Sequence, residues 1–174
     1  MKKALLVIDM QNVYLEGNIW ECINMDNITN CIIDKINEFA KEDIFFTKFI
    51  APSNPIGVWN DYNKEYNDIN NNEYLNDYIY ELKKYITENN LYLKSTYSSL
   101  KNKELYNKLM EYDTIYITGV VADCCILASI YDLIDMGKKI IYCVNGIGSP
   151  SKEVNDAVIT ILEGLSPLHI EFEE

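Results

Sequence analysis

The sequence contains no apolar run approaching the roughly 20 residues that cross a bilayer as a helix. No membrane span is expected. Cations are also scarce: 15 lysines and arginines face 27 aspartates and glutamates, a formal net charge of −12 across 174 residues. Phosphate backbones are bound through clustered basic side chains, so a nucleic-acid partner is not expected, and an anionic membrane surface would repel the chain. There is one histidine, His169, and no C-x-x-C pair, which removes the usual ligand set of a structural zinc site. The five cysteines, Cys22, Cys31, Cys124, Cys125 and Cys143, are odd in number and form no framework spacing. Reduced thiols and a cytoplasmic location are the expectation. No internal repeat or linker divides the chain, and residues 1–174 fit one domain with a sizeable core. Met1 to Ile8 begins like a signal peptide. Asp9 and Gln11 interrupt the apolar region early, however, and no small-residue cleavage site follows.

What is present is an alternation of short apolar runs with helical stripes. Ala4–Ile8 is continuously apolar and fits a strand buried on both faces. Asn24–Ala40 carries Ile28, Ile32, Ile33, Ile36 and Phe39 at helical spacing. Asp43–Ile50 reads as a second strand, and Ala51–Pro55 as a loop with two prolines. Asn60–Asp77 is Asn-rich and irregular; it suits a lid or a surface insertion, and the sequence does not choose. From about Glu73, the positions Leu75, Ile79, Leu82 and Ile86 suggest a helix. Leu91–Lys94 is a short strand, and Leu105, Leu109 and Met110 mark another helix. Lys139–Val144 is a strand followed by a loop over 145–150. Val154 to Leu162 forms a last helix stopped by Gly164, and Pro167–Phe172 is a terminal strand. This alternation implies a parallel sheet with helices on both faces.

The stretch Thr114–Lys139 carries the strongest chemical signal. A β-branched run reaches Thr118, breaks at Gly119-Val120-Val121-Ala122, and gives way to a helix marked by Ile126, Leu127, Ile130, Leu133 and Ile134. Asp123 has the side chain of an N-cap and Gly137 stands at the C′ position. Cys124 and Cys125 fall in the first helical turn, where unpaired N–H groups favour a thiolate and can hold an oxyanion. Asp9 and Lys94 also close strands, and in open α/β sheets the carboxyl edge of the strands holds the site. Taken singly, each has a plain alternative: Asp9 as a turn cap, Lys94 as a solvated strand-end charge, Cys125 as an inert buried thiol.

Taken together, LLVIDMQNVY around Asp9, KSTYS from Lys94 and GVVADCCI around Cys125 resemble the isochorismatase-like cysteine hydrolases, the superfamily that includes nicotinamidases. The resemblance spans nearly the whole chain in motif order. It implies a three-layer α/β/α fold with a six-stranded parallel sheet in order 3-2-1-4-5-6. It implies a catalytic Asp9, Lys94 and Cys125, with Cys125 rather than Cys124 as nucleophile. It also implies an oxyanion hole from the N–H groups of Val121 and Cys125, and a cis peptide at Val120-Val121. Gln11, Tyr14, Trp59 and Tyr97 are the candidate substrate-binding residues. Strand 3 lies about 10 Å from strand 1 at about 4.8 Å per strand, so Lys94 would need its full stem to reach inward.

The departures from the family pattern are informative. Ala122 replaces the usual Thr of the nucleophile segment, and Val13 an Asp. Where nicotinamidases carry a metal-binding D-x-H after strand 2, this chain has Phe49-Ile50-Ala51. The expectation is therefore a metal-independent cysteine hydrolase, without cofactor, cleaving a C–N bond of a small molecule and assembling as a homo-oligomer. Vinyl-ether or ester hydrolysis is one alternative. A non-catalytic, redox-sensing homologue is another, since Cys124 could resolve an oxidised Cys125.

Overall fold

Residues 3–8 form the first strand, β1 (Lys3–Ile8), and its alternate side chains part company. Ala4, Leu6 and Ile8 enter one apolar cluster, Leu5 and Val7 another, and all five are fully buried. A strand covered on both faces has to sit mid-sheet. In the computed structural model, which describes residues 1–174, it does. The other strands are β2 (Ile44–Phe49), β3 (Leu91–Lys94), β4 (Thr114–Gly119), β5 (Lys139–Ile147) and β6 (Ile170–Glu173). They form one six-stranded sheet in order β3-β2-β1-β4-β5-β6, with every pair parallel. The expected α/β architecture and strand order are those observed.

The helices divide between the faces. Helix α1 (Met25–Ile36) buries Met25, Ile28, Ile32 and Ile36 beside Leu5, Val7 and Phe46. Between β2 and β3 come three short helices: α2 (Trp59–Glu65), α3 (Asn67–Asn70) and α4 (Glu73–Asn76). Helices α5 (Lys103–Leu109), α6 (Leu127–Asp135) and α7 (Lys152–Glu163) cover the opposite face through Leu105, Leu109, Ile130, Leu133, Val158 and Leu162. Each such side chain contributes roughly 1.5–3 kcal/mol by leaving water. Gly137 ends α6 as its spacing predicts. Its φ is +78°, its N–H donates to Ile134 O, and Lys138 N–H donates to Leu133 O, the paired bonds of a Schellman motif.

Four local expectations are revised. The helix over 24–40 stops at Ile36, and Phe39 turns back to pack edge-on against Tyr116 at 5.1 Å between ring centroids. The helix from Glu73 towards Ile86 is broken. α4 ends at Asn76, Tyr78 pairs with Gln11 in an isolated bridge, and only a 3-10 stretch over Tyr80–Tyr85 follows. Tertiary pairing of Tyr78 outcompetes the helical stripe there. Strand β5 runs three residues past Val144, because a register shift lets Ile147 pair with Gly119. The terminal strand begins at Ile170, after a cis Ser166-Pro167 peptide, rather than at Pro167.

One glycine holds the centre of the sheet together. Gly119 pairs with Ile8 at the ends of β4 and β1. Its φ is +113°, and a Cβ built there would lie 2.1 Å from the Ile8 carbonyl oxygen. Only a residue without a side chain lets the two strand ends approach this closely. The strand order also reverses about the β1/β4 pair, and in open α/β sheets the loops leaving two such strands diverge to form a crevice.

Candidate active site

Three strand ends meet in that crevice. Asp9 follows β1 directly, with a left-handed φ of 51° that turns the backbone out of the strand. Aspartate tolerates this region better than most residues. The Asp9 N–H donates to Thr47 O at 3.1 Å, and the Thr47 hydroxyl donates to Asp9 Oδ1 at 2.7 Å. One carboxylate oxygen is thereby fixed by β2. The other, Oδ2, lies 2.6 Å from Lys94 Nζ. Lys94 closes β3 opposite Phe49, and its stem spans the width of β2 to bring the ammonium to Asp9. Its ammonium also donates to the carbonyls of Thr96 at 2.9 Å and Tyr97 at 3.1 Å, and to Cys125 Sγ at 3.3 Å. Asp9, Lys94 and Cys125 are 0%, 4% and 4% exposed, so this ion pair and thiol are dry.

Cys125 is set by an unusual turn. Val120-Val121 is a cis peptide, as the resemblance implies. Residues Ala122–Ile126 then form a π-helical turn, closed by Ile126 N–H donating to Val121 O at 3.2 Å, before α6 begins. Asp123 is not the N-cap. Val121 occupies that position in extended conformation, and Asp123 lies exposed in the first turn. The π-turn adds one residue ahead of α6, so counting back from the apolar stripe misplaces the cap. The turn is tied to the β5 end by Ala122 N–H donating to Gly148 O at 2.9 Å. The Val121 N–H makes no hydrogen bond within the chain.

Electrostatics favour a neutral resting thiol. Burial pushes the Cys125 thiol well above its ordinary range; the Asp9 charge adds to this, and Lys94 opposes it without prevailing. For Lys94, burial works against the ammonium, but Asp9 and then Cys125 hold its affinity for the proton above normal. The helix N-terminus and Lys94 therefore do not by themselves produce a thiolate. Cys124 is half-buried, and burial followed by the neighbouring Asp123 charge also raises its thiol.

The four candidate binding residues separate. Trp59 and Tyr97 stack 5.5 Å apart and belong to an aromatic wall with Phe49, Tyr62 and Tyr66. Tyr14 is buried within reach of the Cys125 and Asp9 charges, which, after burial, raise its hydroxyl. Trp20 joins Tyr14 to the wall at 6.1 Å. Gln11 does not face a ligand. Its amide nitrogen donates to Phe49 O at 3.1 Å and Asn76 O at 3.0 Å, and its oxygen accepts from Phe49 N–H at 2.9 Å. Its polar atoms are engaged in clamping β2 to α4. Tyr62, Thr47 and Phe49 escaped the sequence reading. Tyr62 sits in the irregular Asn-rich stretch, where no period marks a functional face. Thr47 and Phe49 read as ordinary strand residues.

No cluster of three or more His, Cys, Asp or Glu side chains could hold a metal ion, and the residues at the end of β2 and just beyond it, where the resemblance would put metal ligands, are Phe49, Ile50 and Ala51. No helix is long and apolar enough to cross a membrane.

Comparison with known proteins places this geometry. No significant match is found among curated proteins. Among solved structures, a cysteine hydrolase from Pseudomonas syringae pv. phaseolicola aligns with a TM-score of 0.81 at 19% identity, over 98% of this chain and 87% of that one. A nicotinamidase/pyrazinamidase from Bacillus subtilis aligns with a TM-score of 0.79 at 21% identity over all of both chains. An isochorismatase-like hydrolase from Alkaliphilus metalliredigens aligns at 0.73 and 21% identity, over 99% and 94%. At these identities the likeness is one of fold. The Isochorismatase domain model matches residues 3–168, from the first residue of β1 to just short of β6. That match takes in all three strand ends of the crevice, and by it the chain belongs to the isochorismatase-like hydrolase family.

Proposed function

We propose that this protein is a metal-independent cysteine hydrolase that cleaves the C–N bond of a small carboxamide through a thioester. The observation that carries the reading is the ammonium of Lys94, 2.6 Å from Asp9 Oδ2 and 3.3 Å from Cys125 Sγ in a dry site. In the resting state the carboxylate and ammonium are paired and the thiol is neutral. Transfer of the thiol proton to Asp9 moves the negative charge from oxygen to sulfur. Lys94 faces both atoms, so it stabilises the anion before and after the transfer. The ionisation therefore needs no free charge left unpaired in low dielectric.

The thiolate attacks the amide carbon, and the electron pair of the C=O bond moves to oxygen. The unpartnered Val121 N–H and the N–H of Cys125 are the donors assigned to that oxyanion. Asp9 returns its proton to the nitrogen, the C–N bond breaks, and ammonia or an amine leaves. Water then attacks the thioester, giving one proton to Asp9. The C–S bond breaks, the acid leaves, and the proton on Asp9 restores the thiol. The residues after β2 offer no metal ligand, so no step is routed through a metal. Nicotinamidases are known neighbours in fold, but Phe49-Ile50-Ala51 argues against nicotinamide handled in a metal-assisted way.

The test is a panel of carboxamides assayed for ammonia release, with intact-protein mass spectrometry of quenched reactions. An acyl adduct on Cys125, with turnover abolished in Cys125→Ala and mostly retained in Cys124→Ala, is the expected result. Equal loss from both substitutions would favour the redox reading. Turnover of vinyl ethers with no adduct would move the activity to the other branch of the family.

A further inference from the structure

The wall beside the thiol is aromatic and has no free cation. Trp59 packs on Tyr62 at 5.0 Å and on Tyr97 at 5.5 Å, and Phe49 packs on both Trp59 and Tyr62 at 6.4 and 6.1 Å. Tyr97 is 46% exposed, so the wall reaches from the buried site to solvent. No lysine on the elements around it is both unpaired and directed at the rings. Lys94 is paired with Asp9, Lys64 of α2 with Asp61 in solvent, and Lys101 with Asp132. Lys48 makes no ion pair, but it alternates with Phe49 along β2 and so belongs to the other face of the sheet. The acidic groups are less evenly matched: Asp123 is exposed beside Cys124 and has no ion-pair partner. One cation already rests against the wall. The Lys94 ammonium stands 5.4 Å from the centroid of the Phe49 ring.

We propose that the site selects carboxamides whose remaining part is cationic, an amine or quaternary ammonium, over neutral isosteres, and excludes carboxylates. The inference rests on the amidohydrolase reading above. Ring faces carry negative potential, and a desolvated cation resting against the outward faces of the Trp and Tyr rings is stabilised by it. An entering carboxylate would find no unpaired ammonium or guanidinium, and would be desolvated beside Asp9 and Asp123. A chain with a net charge of −12 also draws cations towards it from solution.

Both tryptophans of the chain, Trp20 and Trp59, belong to this aromatic group, with Trp20 packing on Tyr62 at 6.3 Å. Intrinsic fluorescence therefore reports binding directly. The probes are 2-(trimethylammonio)acetamide, its uncharged isostere 3,3-dimethylbutanamide, and the anion of malonic acid monoamide, each titrated into the Cys125→Ser protein. The expected result is saturable quenching by the cation at about tenfold lower concentration than by the neutral amide, and none by the anion. In Tyr62→Leu the cation-to-neutral ratio should fall towards one. Equal binding of cation and neutral amide, any binding of the anion, no saturable change with any probe, or an unchanged ratio in Tyr62→Leu would overturn the proposal. Acyl adducts on Cys125 without a cation preference would leave the hydrolase reading standing and remove only this inference. A cation preference without adducts would remove the hydrolase reading and, with it, the claim that the preference selects a substrate, leaving only a cation-binding surface.

Discussion

The rim of the sheet and the arm over residues 56–78 build the same site by different means. The rim delivers Asp9, Lys94 and Cys125 from the ends of β1, β3 and the turn after β4, and each is held by backbone hydrogen bonds or strand register. The arm delivers Trp59 and Tyr62 from short helices that bury almost nothing of their own: α2 and α4 contain no buried residue, and α3 contains only Ile69. Its cohesion comes from ring-on-ring contacts and from asparagine side chains that bond main-chain carbonyls. Asn76 Nδ2 donates to the carbonyls of Ile69 at 2.6 Å, Asn72 at 2.8 Å and Asn70 at 3.3 Å, and Asn63 to Pro52 O at 2.8 Å. On the proposed reading, chemistry is placed where the structure is stiff, and recognition where it has the fewest buried contacts.

The comparison breaks most sharply at the buried ion pair. Lys94→Met removes the cation and leaves Asp9 charged in a site closed to bulk solvent, which should cost about 3–5 kcal/mol of stability together with the activity. The double change Asp9→Asn with Lys94→Met removes both charges and should recover most of that stability while remaining inactive. Urea denaturation of the two variants distinguishes the outcomes. If the single variant unfolds at the wild-type midpoint, Asp9 is protonated or hydrated in the folded protein, and the dry-site argument fails.

The same contrast explains what could be read from the sequence. Ile8-Asp9, Leu93-Lys94 and Gly119 lie on or directly after strands whose apolar runs mark them, so alternation plus motif order located the rim and the sheet order. Gly137 was legible because a C′ glycine is a local backbone requirement. The arm was not legible. Asn60–Asp77 suits a lid and an insertion alike, since an Asn-rich stretch without a 3.6 or 2 period states no face. Its asparagines, which carry no periodic signal, cross-link turns of the backbone. Gln11 was misplaced for a related reason. A polar residue beside a candidate catalytic acid suggests a ligand contact, but a long-range backbone clamp to Phe49 and Asn76 leaves no trace in the sequence. The π-turn at Ala122–Ile126 likewise has no periodic signature, so Asp123 was placed one role too early.

A second test concerns the dryness of the sheet away from the arm. Burial pushes the Cys22 thiol up from an ordinary 9.0 to about 12, with Asp123 and Cys124 adding to it. Burial also pushes the Cys143 thiol up to about 12, opposed by Lys35. A thiol raised in the folded state stays protonated there while the unfolded chain has already lost its proton. The contribution is complete below pH 9 and is lost as pH rises towards 12. Stability should fall in that window by about 1.4 kcal/mol per pH unit for each thiol. Cys143→Ala should remove one such share of the slope in denaturation series at about pH 10 and about pH 11. An unchanged slope would mean that β5 admits water at Cys143.

The smallest effect should fall on the arm, and it is the one that separates the two regions by kinetics. Asn76→Ala deletes the donor to three carbonyls but keeps the Asn76 carbonyl that Gln11 clamps. Each lost bond at a partly exposed position is worth about 0.5–1.5 kcal/mol, and water replaces part of it. Global stability should therefore drop by only about 1 kcal/mol. Locally, α3 and α4 lose what joins them, and Tyr62 and Trp59 lose part of their support. Amides of residues 67–77 should exchange hydrogen faster, while those of β1 and β4 should not change. On any substrate the panel identifies, KM should rise several-fold with kcat nearly constant, because the interactions removed hold substrate rather than the reacting atoms. A fall in kcat with KM unchanged would show that the arm helps place Asp9, Lys94 and Cys125, and that the division between a stiff rim and a loosely held wall is drawn in the wrong place.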